Sequence, residues 1–563
     1  MMELRPVGVG GVLAVLGNAI RSETGAQVAA LREAVEHAHI CGLEETVPAY
    51  ASLLVKYDPF LTDYDALCGT LRALERQISA SAVTEGKIVE IPVCYGGAYG
   101  EDLPFVARHA GMTEREVVAL HSGQPYRIYM LGFLPGFPYL GGLDERLHTP
   151  RLSTPRTRIP AGSVGIGGKQ TGVYPMESPG GWQLIGRTPL TLFAPGEPLP
   201  YAAGDASASS PSAKASLNAS RNARRRNAMA LNIVSPGPLT TVQDFGRHGH
   251  QAEGYPECGA CDKYALALAN LFCGNGDCPH VAGLEYTLCG PTVRAADYTL
   301  VALTGGTVLP TVNGKRVPMF EPLLLAPGDT LEIGMLSSGL RGYLAVFGGF
   351  DIRPVLGSRS TDLKCHIGGL SGRALKAGDV LPVLRAFELP QERYKPLKKR
   401  LEAVVLEDWA LATLSPHGFI GAQKFPLLRV VLGPQDDAFT EKGLFDFKSA
   451  LYTVTQDSNR MAAKLSGAPI EAKAGVDILS DGIVEGSVQV SANGQPIVML
   501  ADHQSTGGYA KIATVIPCDI PALAQVRPGQ LVGFRVVSVE EGAEACRKEK
   551  EKWTYLKEAI DHD

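Results

Sequence analysis

The sequence predicts a mainly β protein with an α+β part, in which a small N-terminal α/β domain precedes several compact β-rich domains. Glycine (64 residues) and proline (39 residues) are frequent while aromatic residues make up only 7%, which favours many turns between short strands. Helix and strand patterns alternate only near the N-terminus, and short β-type runs dominate afterwards. These observations favour barrels or sandwiches over helical bundles.

The length of 563 residues predicts about three to five domains, and the hydrophobic (45%) and charged (20%) shares are those of a globular protein. The net charge of −5 offers no general surface for nucleic acid. We find no apolar run of about 18 residues, and the apolar segment Val7–Leu16 lacks the positive flank and cleavage site of a signal peptide. We therefore expect a cytoplasmic protein that binds neither nucleic acid nor membrane.

Residues 1–82 form the predicted α/β domain. Val28, Leu31 and Val35 fall on one face of a helix because they are spaced at i, i+3 and i+7. The predicted elements are, in order, a strand at Val7–Leu16, that helix, a strand at Glu45–Leu54 and a helix at Asp63–Gln77.

Residues 83–202 predict a compact β-barrel with a helical region, because Gly/Pro turns separate short apolar runs. The predicted elements are strands at Ile88–Val93, Tyr126–Leu131 and Leu190–Phe193, with one helix that runs through Phe105–Ala110 and then Thr113–Ser122.

Residues 203–229 form a predicted flexible linker. The segment is rich in Ala, Ser and Asn, has no apolar periodicity and carries a basic cluster at 221–226. Such a composition buries too little apolar surface to order itself. A new β-type run begins at Ala230, so the simplest account is two proteins joined by a tether.

The remaining chain predicts two β-rich lobes at residues 230–390 and 391–540, followed by a charged helical tail at 541–563 on the surface. The predicted elements include a helix at Lys263–Phe272 and strands at Thr299–Thr304, Tyr343–Phe347, Leu428–Leu432 and Pro496–Leu500.

Eleven cysteines without a secretory signal favour reduced thiols. Cys258 and Cys261 have the spacing of half a zinc site, and Cys273, Cys278 and His280 follow. The segment between the two pairs reads as an apolar helix, which favours buried thiols, although metal binding stays open as the second interpretation.

A glycine-rich loop at residues 162–172 resembles a phosphate-binding P-loop. Ser163 stands where the first glycine of that motif would fall, and Gln170 stands where Ser or Thr would bind magnesium. We therefore predict no Walker-type NTPase, and tight strand reversals are the simpler explanation of the glycines.

Rigid turns and aromatic residues at 132–140 predict one wall of a small-molecule pocket. Arg151, Arg156 and Arg187 are candidate cations for a carboxylate or phosphate. His121 is either a general base or a structural histidine.

In the second part of the chain, acids, amides and a lysine occur beside glycines at 243–247, 481–482 and 502–511. These residue types suit proton transfer and phosphate neutralisation. The sequence holds no Met-Lys-Met biotin site, Gly-x-Ser-x-Gly elbow, His-Glu-x-x-His pair or strand-linked GxGxxG. Nucleotide reductases, zinc peptidases and ordinary serine hydrolases are therefore disfavoured.

Two long sets of motifs carry a family resemblance. Residues 5–201, with GFLPGFPYLGGL and TPRLSTPRTRIPAGSVGIGGKQTGVYPMESPGGWQLIGRTP, resemble the B component of 5-oxoprolinase, also called allophanate hydrolase subunit 1. Residues 231–540, with TTVQDFGRHGHQ, VLGSRSTDL, LGPQDD, DSNRM, ILSDG and DHQSTGGYAKIATVI, are similar to the C component of 5-oxoprolinase, also called allophanate hydrolase subunit 2. The chain is identified as a fusion of these two families.

The resemblance implies cyclophilin-like β-barrels in both parts. It implies ATP-dependent opening of 5-oxoproline, or another lactam or amide, with ATP as its Mg²⁺ complex, no biotin and a homologue of the separate 5-oxoprolinase A component as partner. The matching positions, whose roles are hypotheses, are Gln170, Trp182, Arg187, Gln243, Arg247, Arg359, Asn459 and Arg460 for substrate or nucleotide binding and Asp481, Asp502 and Lys511 for catalysis, with no metal ligand.

Two departures from the family pattern are Cys261 in place of an apolar residue and Ser505 in place of threonine. Two alternative functions stay open. Relatives of both parts form a histidine-kinase inhibitor and its antagonist, which suggests a regulator, and similar sequence in urea carboxylase suggests a carboxyl-transferase-like component acting on urea or another amide. The true substrate, the part that binds ATP and assembly into a homo-oligomer are not decided by the sequence.

Overall fold

The computed structural model describes residues 2–78, 86–152, 154–211, 230–276, 280–384 and 425–561. Two closed seven-stranded barrels dominate these residues, so the predicted mainly β fold with barrel domains is confirmed. We refer to residues 2–211 as the N-terminal half and to residues 230–561 as the C-terminal half. The predicted boundaries at 82 and 390 lie outside the described residues.

The N-terminal domain is a four-stranded antiparallel sheet with two helices, built from β1 (Glu3–Pro6), β2 (Gly11–Val15), α1 (Ser22–His37), β3 (Leu43–Pro48), β4 (Ser52–Tyr57) and α2 (Tyr64–Gln77). The strand order is β1-β2-β4-β3. One face of the sheet packs against both helices, where Val28, Leu31 and Leu71 are buried. The other face buries Leu54 against Val484 of the C-terminal half, so this small domain joins the two halves.

The predicted strands of this domain are wrong in their bounds. The segment predicted at 7–16 comprises a turn and β2, and the one predicted at 45–54 runs through β3, a turn and the start of β4. Both turns are apolar and buried, since Val7, Val9 and Tyr50 are at most 1% exposed. Without polar turn residues, a hairpin reads as one continuous strand.

The first barrel contains β5 (Ile88–Tyr95), α3 (Leu103–Ala110), α4 (Glu114–Ser122), β6 (Tyr126–Leu131), β7 (Pro138–Gly141), β8 (Arg156–Ile159), β9 (Ser163–Gly167), β10 (Gln170–Val173), β11 (Ser178–Gly180), β12 (Gln183–Arg187) and β13 (Ala206–Pro211). Its circuit is β5-β12-β9-β10-β7-β6-β13, while β8 and β11 form a separate two-stranded sheet. The strand predicted at 190–193 is wrong, because Pro189 and Pro195 flank this segment and Phe193 is buried as part of a loop.

Strand β13 corrects the predicted linker. Residues 206–211 pair in parallel with β5 and antiparallel with β6, and so close the barrel. The strand reads Ala-Ser-Ala-Ser-Ser-Pro, so it contributes mainly backbone hydrogen bonds rather than an apolar face, and composition does not reveal it. Residues 212–229 of the predicted linker lie outside the described residues.

The first lobe of the C-terminal half contains β14 (Ala230–Ser235), β15 (Leu239–Gln243), α5 (Lys263–Phe272), β16 (Gly283–Thr287), β17 (Cys289–Ala295), β18 (Thr299–Gly305), β19 (Thr311–Val312), β20 (Lys315–Arg316), β21 (Pro322–Leu325), β22 (Thr330–Met335), β23 (Arg341–Val346) and β24 (Val380–Pro382). A six-stranded sheet (β20-β19-β22-β17-β14-β24) and a five-stranded sheet (β15-β16-β23-β18-β21) share one core. Strand β23 alternates, with Leu344 in that core and Tyr343 under α5 on the opposite face.

The second barrel contains β25 (Leu427–Leu432), α6 (Glu441–Ser449), β26 (Tyr452–Val454), β27 (Ala462–Ser466), β28 (Asp477–Gly482), β29 (Ser487–Val490), β30 (Pro496–Met499), β31 (Thr506–Tyr509), β32 (Lys511–Val515), α7 (Ile520–Ala524) and β33 (Leu531–Val536). Its circuit, β25-β32-β29-β30-β27-β26-β33, repeats that of the first barrel strand for strand, and β28 and β31 pair as β8 and β11 do. Leu184 in β12 and Lys511 in β32 occupy equivalent register positions, opposite Gly165 and Gln489 respectively.

The C-terminal helix α8 (Val539–Asp561) is helical as predicted, but one side of it is buried rather than exposed. Cys546 packs against Val9 and Ile516, and Leu556 joins the core beneath α5. The helix therefore contacts the N-terminal domain, the second barrel and the first lobe. Helix α8 contains many charged residues, so its narrow apolar stripe is difficult to recognise in the sequence.

Candidate active site

Lys511 and Asp481 form a buried pair where β32 begins. The Lys511 ammonium donates to Oδ1 of Asp481, and Gln435 Nε2 donates to Oδ2 at 2.8 Å. The backbone N–H of Lys511 donates to Gln435 Oε1 at 3.1 Å. Burial lowers the pKa of Lys511 and raises the pKa of Asp481, which brings the proton affinities of the two groups closer. Such a pair is suited to moving a proton.

Arg460 is the centre of an ionic network that joins the first lobe to the second barrel. Its guanidinium binds both oxygens of Asp502 at 2.9 Å, contacts the Glu285 carboxylate and donates to the Gly259 carbonyl at 2.6 Å. Asn459 caps the adjacent turn by accepting from the Met461 N–H at 2.8 Å. These three predicted site residues therefore lie together at the joint between the first lobe and the second barrel.

Gln243, Arg247 and Arg359 lie in a second network, where the loop after β15 meets the Gly357–Thr361 segment. Asp244 accepts from the Arg359 N–H at 2.6 Å, and Arg247 donates to the Ser360 carbonyl at 3.0 Å. Among the described residues, the Arg359 guanidinium donates to the backbone carbonyls of Ile352 and His280. Two buried atoms, Arg247 Nη1 and Gln243 Oε1, have no partner among the described residues.

Trp182 belongs to a cluster of aromatic rings on the first barrel. Its ring centroid lies 5.5 Å from that of Phe137 and 6.3 Å from those of Tyr139 and Tyr174. A Cβ at Gly167 would clash with Trp182 Nε1, so the glycine-rich loop leaves room for this indole. Gly167 therefore allows the indole to pack closely at this position.

Gln170 lies opposite Gly167, the glycine against which Trp182 packs, whereas Arg187 lies farther along β12. Gln170 is 7% exposed, and its buried Oε1 has no partner among the described residues. Arg187 lies at the far end of β12, with its guanidinium 5.6 Å from the centroid of the Tyr99 ring.

His121 is a structural residue in this fold. It is 1% exposed, and its ring lies between the hydroxyls of Tyr95 at 2.8 Å and Thr171 at 2.9 Å. Burial lowers the pKa of His121 to about 4, so the imidazole is neutral near pH 7.

The 132–140 wall of the first barrel lies directly against the second barrel and the first lobe. A Cβ at Gly132 would clash with Thr506 Oγ1 of β31. Lys364 donates to the Phe133 carbonyl at 3.1 Å and lies 4.7 Å from that ring's centroid. Leu479 of β28 packs on the aromatic cluster, two residues before Asp481. The wall and the Lys511 pair therefore belong to one region between the halves.

A buried polar junction also joins the halves. Lys56 pairs with Glu257, and Glu45 accepts from the Gln251 N–H at 2.6 Å. The Lys56 ammonium holds the pKa of Glu257 well below its usual range although burial alone would raise it. Neither half alone would satisfy these buried charges, which indicates a stable contact.

The cysteine cluster shows no metal geometry in the described part of the chain. Cys258, Cys261 and Cys273 are buried free thiols, and burial raises the pKa of Cys261 to about 12. No group of three or more His, Cys, Asp or Glu residues among the described positions is arranged to hold a metal ion. Cys278 lies outside the described residues.

Two protein families match this arrangement and divide the chain as the fold does. "Carboxyltransferase domain, subdomain C and D" matches residues 2–202, and "Carboxyltransferase domain, subdomain A and B" matches residues 253–536. The chain belongs to the carboxyltransferase-domain family. No helix in the described segments of this family member is long and apolar enough to span a bilayer.

Relatives of this carboxyltransferase-domain protein cover each half separately and both together. The 5-oxoprolinase C subunit of Escherichia coli (strain K12) is 36% identical over 323 residues, 57% of this chain and 96% of that protein. The 5-oxoprolinase B subunit of Bacillus subtilis (strain 168) is 40% identical over 215 residues, 36% of this chain and 90% of that protein. The crystal structure of TTHA0988 is 33% identical with a TM-score of 0.77, covering 93% of this chain and 100% of that one.

A more distant structure is the urea carboxylase of Kluyveromyces lactis, 28% identical with a TM-score of 0.51. The match covers 59% of this chain and 30% of that chain. The recognised fusion of B-like and C-like parts is confirmed, and urea carboxylase is a related carboxyltransferase-domain protein.

Sequence reasoning missed Gln435, Glu285 and Tyr50 as contributors to these sites. Gln435 lies in the distinctive LGPQDD motif, so its signal was present. Glu285 is a lone acid in an otherwise apolar strand, and Tyr50 lies in an apolar turn. The partners of Glu285 and Tyr50 come from segments far along the chain, so local sequence patterns give no signal for these two residues.

Proposed function

We propose that this chain supplies the fused B and C components of a 5-oxoprolinase, which opens 5-oxoproline to glutamate with ATP and a separate A component in the cytoplasm. Relatives named as the B and C subunits align over 90% and 96% of their own lengths. The observation that carries the proposal is the contact of Gly132 with Thr506, which sets the aromatic wall beside the region of Asp481 and Lys511.

The proposed chemistry activates a poor electrophile. The lactam oxygen takes the γ-phosphoryl group of ATP and ADP leaves; one water then adds to the ring carbon and the C–N bond breaks, which leaves an acyl phosphate. A second water hydrolyses this acyl phosphate to the carboxylate and free phosphate. The nitrogen must gain a proton as it leaves, and the adding water must lose one. Lys511 and Asp481 are the residues we assign to these proton transfers, while ATP enters with Mg²⁺ held mainly by its phosphate oxygens.

The test is to mix the protein with a homologue of the A component, ATP, Mg²⁺ and 5-oxoproline and to measure glutamate and phosphate. Both products should form together, and omission of either protein should abolish them. Lys448, an exposed lysine on α6, provides a matched control for Lys511: Lys448→Met should keep full turnover. A complete mixture that forms no glutamate, or that consumes urea instead, contradicts the proposal.

A second candidate function is a carboxyl-transfer step on urea or another amide. The observation that favours it is that both matching families are carboxyltransferase subdomains. Its test supplies a carboxylated biotin carrier protein and urea, and measures loss of the carboxyl group from biotin. Transfer to urea that exceeds hydrolysis in buffer supports this candidate over the first.

A further inference from the structure

Tyr50 carries a hydroxyl group whose position the fold does not explain. It lies in the buried turn between β3 and β4 with 0% exposure, its ring 5.3 Å from Tyr129 and 6.0 Å from Tyr139. Its OH has no hydrogen-bond partner among the described residues. A buried unpaired hydroxyl is costly, and phenylalanine would fill the same space without this cost. The group is therefore free to bind a ligand.

Arg151 lies beside Trp182 of the same aromatic cluster. The Pro150 carbonyl accepts from Gln183 at 2.9 Å and the Leu152 N–H donates to Gly181 at 2.7 Å, so this segment is fixed on both sides of Arg151, opposite Trp182. The Arg151 side chain is exposed, and no ion pair to it is found in the described segments.

Tyr50, Tyr139 and Tyr174 belong to the aromatic cluster that includes Trp182, the residue opposite Arg151. Burial raises the pKa of Tyr139 to about 12, and Thr506 and the Arg151 guanidinium oppose this rise. The same guanidinium opposes the rise that burial causes in the pKa of Tyr50 and Tyr174. The Arg151 cation and the hydroxyl groups of the neighbouring tyrosines are the chemical groups that recognise a carboxylate.

We propose that Tyr50 and Arg151, with Thr506 from the opposite half, bind the carboxylate of the substrate while its ring packs against Trp182 and Tyr139. The Thr506 hydroxyl is buried against Gly132 and close enough to the Tyr139 hydroxyl to lower its pKa. The proposal rests on the proposed function and deepens it, because it makes the carboxylate of a small cyclic amide the recognised group. The N-terminal domain, the first barrel and the second barrel each supply one residue.

The test compares Tyr50→Phe and Arg151→Gln with Arg158→Gln, a matched exposed arginine on β8 that pairs with Glu177. Binding of 5-oxoproline and of 2-pyrrolidinone, which lacks the carboxylate, is measured by calorimetry on the full chain, alone and with the A component. Tyr50→Phe and Arg151→Gln should weaken 5-oxoproline binding at least tenfold and leave 2-pyrrolidinone unchanged. Arg158→Gln should change neither.

Equal 5-oxoproline affinity in all three variants, or no carboxylate binding by the unaltered protein in either state, overturns the pocket. With the A component present, the two pocket variants should raise KM more than they lower kcat. Turnover with unchanged KM in the variants would contradict the proposed pocket but support the proposed function. Carboxylate-selective binding without any turnover keeps the pocket and removes the function.

A separate observation concerns Cys518 and Cys546, whose sulfur atoms lie 3.3 Å apart. Cys518 lies just before α7, and Cys546 lies on α8. Their shared hydrogen bond lowers the pKa of Cys546, which favours its thiolate. Helix α8 also packs on Val9 of the N-terminal domain, so a bond at this point would tie the helix across both halves.

We infer that Cys518 and Cys546 form a reversible disulfide when a peroxide oxidises them. The Cys546 thiolate attacks hydrogen peroxide to give a sulfenic acid and hydroxide; the Cys518 thiol then displaces water as the S–S bond forms. Two thiols are oxidised, one peroxide is reduced, and two waters result.

The test treats the full chain with hydrogen peroxide, maps disulfide-linked peptides by mass spectrometry and follows proteolysis of α8. The 518–546 link should form, slow the proteolysis and disappear with a thiol reductant. Cys518→Ser should abolish both effects, while Cys41→Ser, at an exposed cysteine, should abolish neither. Oxidation of Cys41 alone, or sulfinic acid at Cys546 without the link, contradicts the inference.

Discussion

Asp102 and Gln435 hold the same position in the two barrels. Asp102 Oδ2 accepts from the Leu184 N–H at 2.6 Å, and Gln435 Oε1 accepts from the Lys511 N–H at 3.1 Å. Each side chain also binds a partner on the adjacent two-stranded sheet, which is Arg156 in the first barrel and Asp481 in the second. Both barrels therefore share this hydrogen-bond arrangement, and the second barrel has Lys511 where the first has Leu184.

This equivalence supplies the substitution that tests Lys511. Lys511→Leu installs the first barrel's residue and should abolish turnover with the A component. It leaves Asp481 buried without its cation, so unfolding in urea should show a loss of about 3 kcal/mol. The double variant with Asp481→Asn should recover most of that stability but no activity. Turnover retained by the single variant would remove Lys511 from the mechanism.

Arg460 should matter for stability more than for chemistry. Arg460→Met leaves Asp502 and Glu285 buried without their cation, and we expect a loss of about 3–5 kcal/mol in the free energy of unfolding. Chemical denaturation measures the change. Arg547→Met removes a surface pair with Glu544 and should leave the denaturation midpoint unchanged. Equal midpoints for both variants would show that the network is not a structural joint.

His121 predicts an acid-dependent loss of stability. Its pKa falls from 6.5 to about 4 on folding, so the unfolded chain binds the proton more readily between these values. Stability is therefore complete above pH 6.5 and is lost as the pH falls towards 4, by about 3 kcal/mol from this group. His121→Gln should flatten that part of the profile measured by urea titration, and an unchanged slope would contradict the assignment.

The contacts between the halves predict that the tether is dispensable once the chain has folded. After cleavage at a protease site inserted at 218, in the predicted linker, the two fragments should still elute together, because Lys56–Glu257 and Gly132–Thr506 connect them. An insertion at 208 interrupts β13 and should destabilise the first barrel. Fragments that separate on a sizing column after the first cut would refute this expectation.

Prediction from sequence succeeds where the side chains themselves carry the pattern. The helix at 263–272 and the strand at 126–131 have the predicted bounds, since apolar periodicity and turn residues mark both. It fails at β13, whose alanines and serines contribute mainly backbone pairing, and at the apolar turn around Tyr50, which no polar residue marks. In both cases the stabilising partner lies far along the chain.

The family, the division into two halves and the residue types of the candidate site can be read from the sequence, because long motifs and local periodicity lie in neighbouring residues. Which of those residues meet depends on the tertiary structure. In the folded chain, Asp481 pairs with Lys511, Asp502 binds Arg460 at a structural joint, and Tyr50 lies beside Tyr139. Burial and pairing arise from packing between distant segments, so they are properties of the fold rather than of any one motif.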